Sequence, residues 1–306
     1  MNLFQLSAII STLDTLLPWL REKGLISDSQ ICKECSDCAS SEEENVRAKR
    51  VRIADSSLTD GKVMRCRKCQ GRRSIRTGTF FSCTKLSLKT VVLMMYLWSN
   101  KIRNNQTLKM LGGEVKRTQT VGYWYNQFRN VCSQYLLSHP VVLGGNGDIV
   151  EIDETKVGAK RKANRGRASP GLSVWMLTMI ERRRKLPYFI IVPDRSKATL
   201  QPLIKRVVAE GTIIYSDEWA SYADLNKIGY HHETVNHSVE FVSSEGVHIN
   251  TIESLHNEVK LELKICRGVL ERHLPAFLDE FVFRKVMRDR DMFESFIDAV
   301  KDIYPQ

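Results

Sequence analysis

The sequence predicts a multi-domain protein, with a cysteine-bearing and helical first half followed by an α/β domain. Three observations predict it. Cysteines recur at two-residue intervals between residues 32 and 69, residues 83–140 place apolar side chains at helical spacing, and from residue 148 short β-branched runs alternate with helical stretches. The 306 residues are 42% hydrophobic, enough for more than one core, and carry a net charge of +11, which favours polyanionic partners.

Residues 1–30 read as a helix. The segment Met-Asn-Leu-Phe-Gln-Leu-Ser-Ala-Ile-Ile lacks a basic start, and Asp14 interrupts the apolar run before any cleavage site, so an amphipathic helix fits better than a leader. The longest apolar run, Val91 to Trp98, is too short to span a bilayer, so no membrane association or secretion is expected and the protein reads as soluble and intracellular. In that compartment the eight cysteines are expected as thiols or metal ligands.

Residues 31–82 read as a zinc ribbon. Cys32, Cys35 and Cys38 are spaced by two residues, and after a polar gap Cys66 and Cys69 repeat the spacing, which suits paired knuckles around one tetrahedral Zn2+. The gap is poor in large apolar residues, so a fold there needs the metal. Cys32, Cys35, Cys66 and Cys69 are the expected ligands, with the Cys35/Cys38 register fitting equally well. The isolated Cys83, Cys132 and Cys266 read as small core residues.

Residues 83–140 read as helical. A helix through Gln106–Met110 should stop at Gly112-Gly113, and a second should begin near Arg117-Thr118, the plan of a helix-turn-helix. Arg117, Thr118, Gln119 and Thr120 would face DNA, while Val121, Trp124, Phe128 and Val131 form the core side. The Pro140–Gly147 stretch is a plausible boundary. Beyond it lie strands at Asp148–Thr155, Leu172–Ile180, Pro187–Pro193 and Thr212–Ser216, and helices at Thr199–Glu210 and Trp219–Lys227. That order suits an RNase H-like catalytic domain over 148–290, with a C-terminal helix or tail over 291–306.

Three acids carry the chemistry. Asp153 and Asp217 end short apolar runs where a strand delivers side chains to a sheet edge, and Glu253 opens a helical stretch. Carboxylates so placed invite two divalent ions, which can activate a hydroxyl on one side of a phosphodiester and stabilise the leaving oxygen on the other. Between the first two strands, Lys156, Lys160, Arg161, Lys162, Arg165 and Arg167 form a basic loop without acids, suited to phosphate contacts beside that site.

The ordered motifs resemble the DDE transposases of the Merlin superfamily and related bacterial ISXO2-like insertion-sequence enzymes. The resemblance runs through Cys66-x2-Cys69 with Ser-Ile-Arg-Thr-Gly-Thr-Phe-Phe, Glu-Ile-Asp-Glu-Thr, Val-Pro-Asp-Arg-Ser-Lys-Ala-Thr-Leu, Ser-Asp-Glu-Trp-Ala-Ser-Tyr, and His-Ile-Asn-Thr-Ile-Glu-Ser. It implies a cut-and-paste transposase with Asp153, Asp217 and Glu253 holding two Mg2+ or Mn2+ ions. Asn250 stands as a reserve ligand for Glu253. Lys260, seven residues beyond Glu253, shares a helix face with Glu253 and Asn257, where it can approach a phosphate. Implied partners are double-stranded DNA, as terminal inverted repeats and target, and a second copy of the chain or more. Nuclear localisation is implied for a eukaryotic host, cytoplasm or nucleoid for a bacterial one. Members of the group usually carry Ile-Glu-Gly-x-Trp, where this chain has Ser254 and His256. Two other expectations compete: a domesticated, catalytically silent DNA-binding protein or regulator, and a metal-dependent nuclease.

Overall fold

The structure is a computed structural model that describes residues 1–28, 49–52, 60, 62–66, 68–82, 84–145, 147–158, 173–235, 248–266 and 268–306. The chain divides into two compact units, one of Met1–Val131 with Asp289–Gln306 and one of Cys132–Arg288. The division therefore falls inside a helix, upstream of the glycine-rich stretch the sequence suggests. Gly144 in that stretch is packed: its φ is +77°, and a Cβ there would lie 2.3 Å from Thr212 Oγ1.

The first unit opens with two helices where the sequence suggests one, α1 (Leu3–Ile10) and α2 (Leu13–Glu22). The break is at Thr12, whose extended backbone and side-chain oxygen cap α2 through the Thr15 amide. Strands β1 (Lys49–Arg52), β2 (Lys62–Arg65) and β3 (Arg72–Ser74) form an antiparallel sheet. Beside it the Arg76 guanidinium grips the Asp60 carboxylate at 2.5 Å through both Nε and a terminal nitrogen, with both residues buried. Then follow α3 (Leu88–Ser99), α4 (Asn104–Met110) and α5 (Thr118–Ser138). The C-terminal helix α9 (Met292–Ile303) belongs to this unit, capped by Asp291 at the Phe293 and Glu294 amides. Its Phe296 meets Trp98 of α3 with ring centroids 4.6 Å apart, and both meet Phe128 of α5. Val121, Trp124, Phe128 and Val131 are buried, as their spacing predicts. Among the described residues, no single helix is long and apolar enough to cross a membrane.

The second unit is built on a five-stranded sheet of β4 (Ile149–Gly158), β5 (Ser173–Glu181), β6 (Leu186–Val192), β7 (Ile213–Asp217) and β8 (His231–Val235). Their order is β6-β5-β4-β7-β8, with β4, β5 and β6 antiparallel and β4, β7 and β8 parallel. One face buries Val150, Ile152, Leu177, Met179 and Ile214 against α6 (Lys197–Val207). The other buries Val157, Met176 and Ile180 against α7 (Asn250–Ile265) and α8 (Leu274–Val286). Alternation along β4 thus sends even positions toward α6 and odd positions toward α7. Two short 3-10 turns, Ala220–Tyr222 and Leu225–Ile228, occupy the stretch read as a helix near Trp219–Lys227.

Candidate active site

Asp153 is the fifth residue of β4, well inside the strand rather than at its end as its apolar run suggests. Parallel pairing sets Glu151 opposite Tyr215, and continuing that register by two residues brings Asp217 level with Asp153. Both then share the sheet face that α7 crosses, because Tyr215 packs into the core on that side. The Asp153 Oδ1 accepts the Glu154 amide at 2.8 Å, and the Asp217 Oδ1 accepts the Trp219 amide at 3.1 Å.

Helix α7 lies along β4 in matched steps. Four helical residues rise about 6 Å and two strand residues about 6.6 Å, so the two elements stay in register. The Ile252 amide donates to Glu151 Oε2 at 2.8 Å, His256 Nδ1 stands 3.6 Å from Asp153 Oδ2, and Lys260 Nζ donates to Thr155 Oγ1 at 2.7 Å. Glu151 also binds the Arg182 guanidinium, which reaches the His248 carbonyl and stacks on the Tyr215 ring. Glu253 follows Ile252 directly, so this anchorage places it in the first turn of α7 over the same face; Glu253, Asn257 and Lys260 are exposed. Asn250, the reserve ligand, is the first residue of the helix and is exposed.

Electrostatics tie the acids together. Burial first, then the charges of Asp217 and Glu154, and finally that of Glu253, push the Asp153 carboxyl up to about 7, against the pull of the Glu154 amide. Burial, with Lys260 nearby, holds the His256 imidazole down at about 4, so the ring is neutral at ordinary pH. Its Nε2 is bonded to Thr178 Oγ1 at 2.9 Å.

On the opposite face Glu154 is buried. Its Oε1 accepts a hydrogen bond from the Tyr222 hydroxyl, while Oε2 has no hydrogen-bond partner among the described residues and lies 4.0 Å from Arg195. Burial raises the Glu154 carboxyl as well. Arg195 is sandwiched between the Trp175 and Trp219 rings, 4.3 and 4.0 Å from their centroids, with Lys156 over the same Trp175.

Among the described residues, no group of three or more His, Cys, Asp or Glu could hold a metal ion as it stands. The chemistry of the donors nonetheless fits a hard divalent ion: carboxylate oxygens from two neighbouring strands and a crossing helix, with Asp153 held against other acids.

Of the other expected site residues, Cys32, Cys35, Cys38, Cys83, Lys160, Arg161, Lys162, Arg165 and Arg167 lie outside the described residues. Cys66 and Cys69 frame the β2–β3 turn, and each sulfur accepts the amide two residues on, from Lys68 and Gly71, at 3.4 Å. Lys156 is exposed on β4. The two helices expected of a helix-turn-helix are α4 and α5, fastened by the Thr107 and Tyr125 hydroxyls at 2.6 Å. Arg117 and Gln119 are exposed beside or within the first turn of α5, and Thr118 and Thr120 are half-buried. Cys132 is buried as expected, whereas Cys266 is exposed at the end of α7, where the helix has run past the core. Sequence reasoning missed Glu151, Arg182, Thr178 and Glu154, whose roles arise from pairing between distant segments.

An ISXO2-like transposase domain matches residues 143–285. An uncharacterized transposase-like protein of Haemophilus influenzae is 32% identical over 97 residues, which cover 32% of this chain and 78% of that protein. A pre-cleavage Mos1 transpososome aligns with TM-score 0.27 and 11% identity over 70% of this chain and 78% of that one. The mariner Mos1 paired end complex with Mg aligns with TM-score 0.30 and 11% identity over 69% and 75%. Likeness of that size adds nothing further about this chain.

Proposed function

Because this chain belongs to the DDE-type transposases with an ISXO2-like domain, we propose that it cuts and joins DNA with Asp153, Asp217 and Glu253 as its acidic triad. The observation that carries this reading is the Asp153 carboxyl, raised to about 7 by burial and by charges that include both Asp217 and Glu253.

The three carboxylates would hold two Mg2+ or Mn2+ ions, with Asn250 as the reserve ligand. Ions bound there supply charge neutralisation at the scissile phosphate and activation of water or a 3'-hydroxyl. The chain's own residues position the strand. Lys260, fixed to Thr155 beside the Asp153 rung, and Asn257 on the same helix face offer a cation and an amide to a phosphate. Lys156 and the basic loop that follows it would extend that contact along the backbone. Transfer of this type needs orientation and charge stabilisation rather than a covalent enzyme intermediate.

The remaining assignments complete the reading. One Zn2+ would be held by Cys66 and Cys69 with Cys32 and Cys35, or with Cys35 and Cys38. The paired amide-to-sulfur hydrogen bonds support this, since they stabilise thiolates. The zinc ribbon and the α4–α5 pair, through Arg117, Thr118, Gln119 and Thr120, would bind terminal inverted repeats. Two DNA ends joined to one target call for at least a dimer, and a eukaryotic host would require nuclear entry.

The test is a strand-transfer assay on DNA bearing the element's own ends, with Mg2+ or Mn2+, comparing wild type with Asp217→Ala. Metal-dependent joining abolished in the variant is the expected result. Cleavage without joining would replace the transposase with a nuclease. End-binding with neither activity, in zinc-replete protein, would replace it with a silent DNA-binding protein.

A further inference from the structure

His256 occupies the middle rung of the α7–β4 contact. It lies over a cross-strand pair, since Asp153 of β4 is directly opposite Thr178 of β5 in the antiparallel register. The ring touches both members: Nε2 is 2.9 Å from Thr178 Oγ1 and Nδ1 is 3.6 Å from Asp153 Oδ2. It is buried, and the rungs on either side are bonded, so α7 cannot slide to offer another residue here.

A neutral imidazole carries one N–H, and its surroundings choose the nitrogen. A lone pair on Nδ1 would face the carboxylate oxygen and be repelled, whereas an N–H there is attracted. The Thr178 hydroxyl can donate to Nε2 and so favours the same tautomer. Asp153 Oδ1 is already engaged by the Glu154 amide. A donor at Oδ2 therefore settles the rotation of the carboxylate. The present separation exceeds a hydrogen bond, and catalytic contacts of this kind tighten when the site is loaded.

We propose that His256 is a positioning residue for Asp153, its Nδ1–H directed at Oδ2 and its tautomer fixed by Thr178, so that the carboxylate presents its remaining lone pairs to a divalent ion. This rests on the reading of Asp153 as an ion-holding residue. Residues that orient metal ligands typically change metal affinity about 10–100-fold when removed.

The experiment titrates Mn2+ directly into the full-length chain, following free Mn2+ by paramagnetic resonance, and repeats the titration for four variants. His256→Leu removes the donor and should weaken Mn2+ binding about tenfold. His256→Asn places an amide N–H near the Nδ1 position and should restore affinity to within about threefold of wild type. Thr178→Val removes only the tautomer-fixing hydroxyl and should weaken binding in the same direction as His256→Leu; it carries the test if the leucine variant does not fold. Asp153→Asn is the reference for loss of the ion site. Wild-type affinity in both His256→Leu and Thr178→Val, with binding lost in Asp153→Asn, overturns the positioning role alone. An asparagine variant as weak as the leucine variant also overturns it, since the ring would then act by shape. Wild-type binding in Asp153→Asn overturns the ion site, and the proposal with it.

Discussion

The Glu151 carboxylate accepts the backbone N–H of Ile252 at 2.8 Å, so a side chain from the central strand caps a helix that has no side-chain cap of its own. The bond decides where Glu253 stands, because the next residue of α7 is Glu253 itself. It also concentrates charge, since Arg182 pairs with the other Glu151 oxygen and reaches on to His248.

Removing that anchor should cost more than a surface ion pair. Glu151 is fully buried, and its loss takes the acceptor from both the Arg182 Nε and the Ile252 amide. Glu151→Ala is expected to destabilise folding by about 3–5 kcal/mol, the range for breaking one side of a buried pair. Glu151→Gln retains an acceptor for Ile252 and should cost less. Equilibrium urea unfolding of both variants checks the order. Equal losses would mean that the amide cap contributes nothing.

The Asp153 carboxyl gives stability a pH dependence whose sign is fixed. Its proton is held more tightly in the folded chain, near 7, than at the ordinary value of 3.8, so its favourable contribution is full below about pH 4 and is lost as pH rises through 7. His256, held down at about 4, works in the opposite sense: its contribution is present above the ordinary histidine value of 6.5 and is lost as pH falls through 4. Glu154 and Asp279 are also raised by burial and add to the Asp153 trend. The difference in melting temperature between wild type and Asp153→Asn, both in chelator, isolates the first effect. It should shift steadily against wild type from pH 4 to 8, and Mg2+ should reverse that shift. A flat difference curve would mean that Asp153 titrates normally.

How much of this was legible beforehand follows from where each signal resides. The strand positions of Asp153 and Asp217 could be read because β-branched runs lead into them, and the burial of Val121, Trp124 and Phe128 because a buried helix face repeats its period. Strand β8 escaped notice because His-His-Glu-Thr-Val, pairing among the described residues with β7 alone, buries little beyond Val235 and has no apolar alternation. The helix expected near Trp219 resolves into two 3-10 turns, the second ended by Gly229 at φ +100°. His256 could be seen as a departure from the related group, but its partners, Thr178 and Asp153, lie 78 and 103 positions away and only the fold brings them together.

The zinc reading makes a prediction at single-cysteine resolution. Cys66 and Cys69 each accept a backbone amide in a tight turn where Gln70 adopts φ +60°, an arrangement that suits two thiolates on one ion. Purified chain should contain about one zinc per molecule by elemental analysis. Cys66→Ser and Cys35→Ser should each lose it, since Cys35 is common to both possible registers. Cys32→Ser and Cys38→Ser should then differ from each other, and whichever loses zinc names the register. Full zinc retention in Cys66→Ser would remove the ribbon from the assignment.

Glu154 offers a way to tune the site without touching a carboxylate of the proposed triad. Its charge is among those that raise Asp153, and it is itself raised in part by Asp217, although it points to the other face of the sheet. A glutamine in its place keeps an oxygen for the Tyr222 hydroxyl and removes the charge. Arg195 should stay in place, because the Trp175 and Trp219 rings hold it from two sides. Protons and Mn2+ compete for Asp153, so Mn2+ affinity in wild type should climb with pH and level off above about 7. Glu154→Gln lowers the Asp153 value and should move that plateau to lower pH, leaving the alkaline affinity within about threefold of wild type. Mn2+ titrations at half-unit pH intervals read both quantities. An unmoved midpoint would show that the Glu154 charge has no part in raising Asp153, and a lost alkaline affinity would make Glu154 a ligand in its own right.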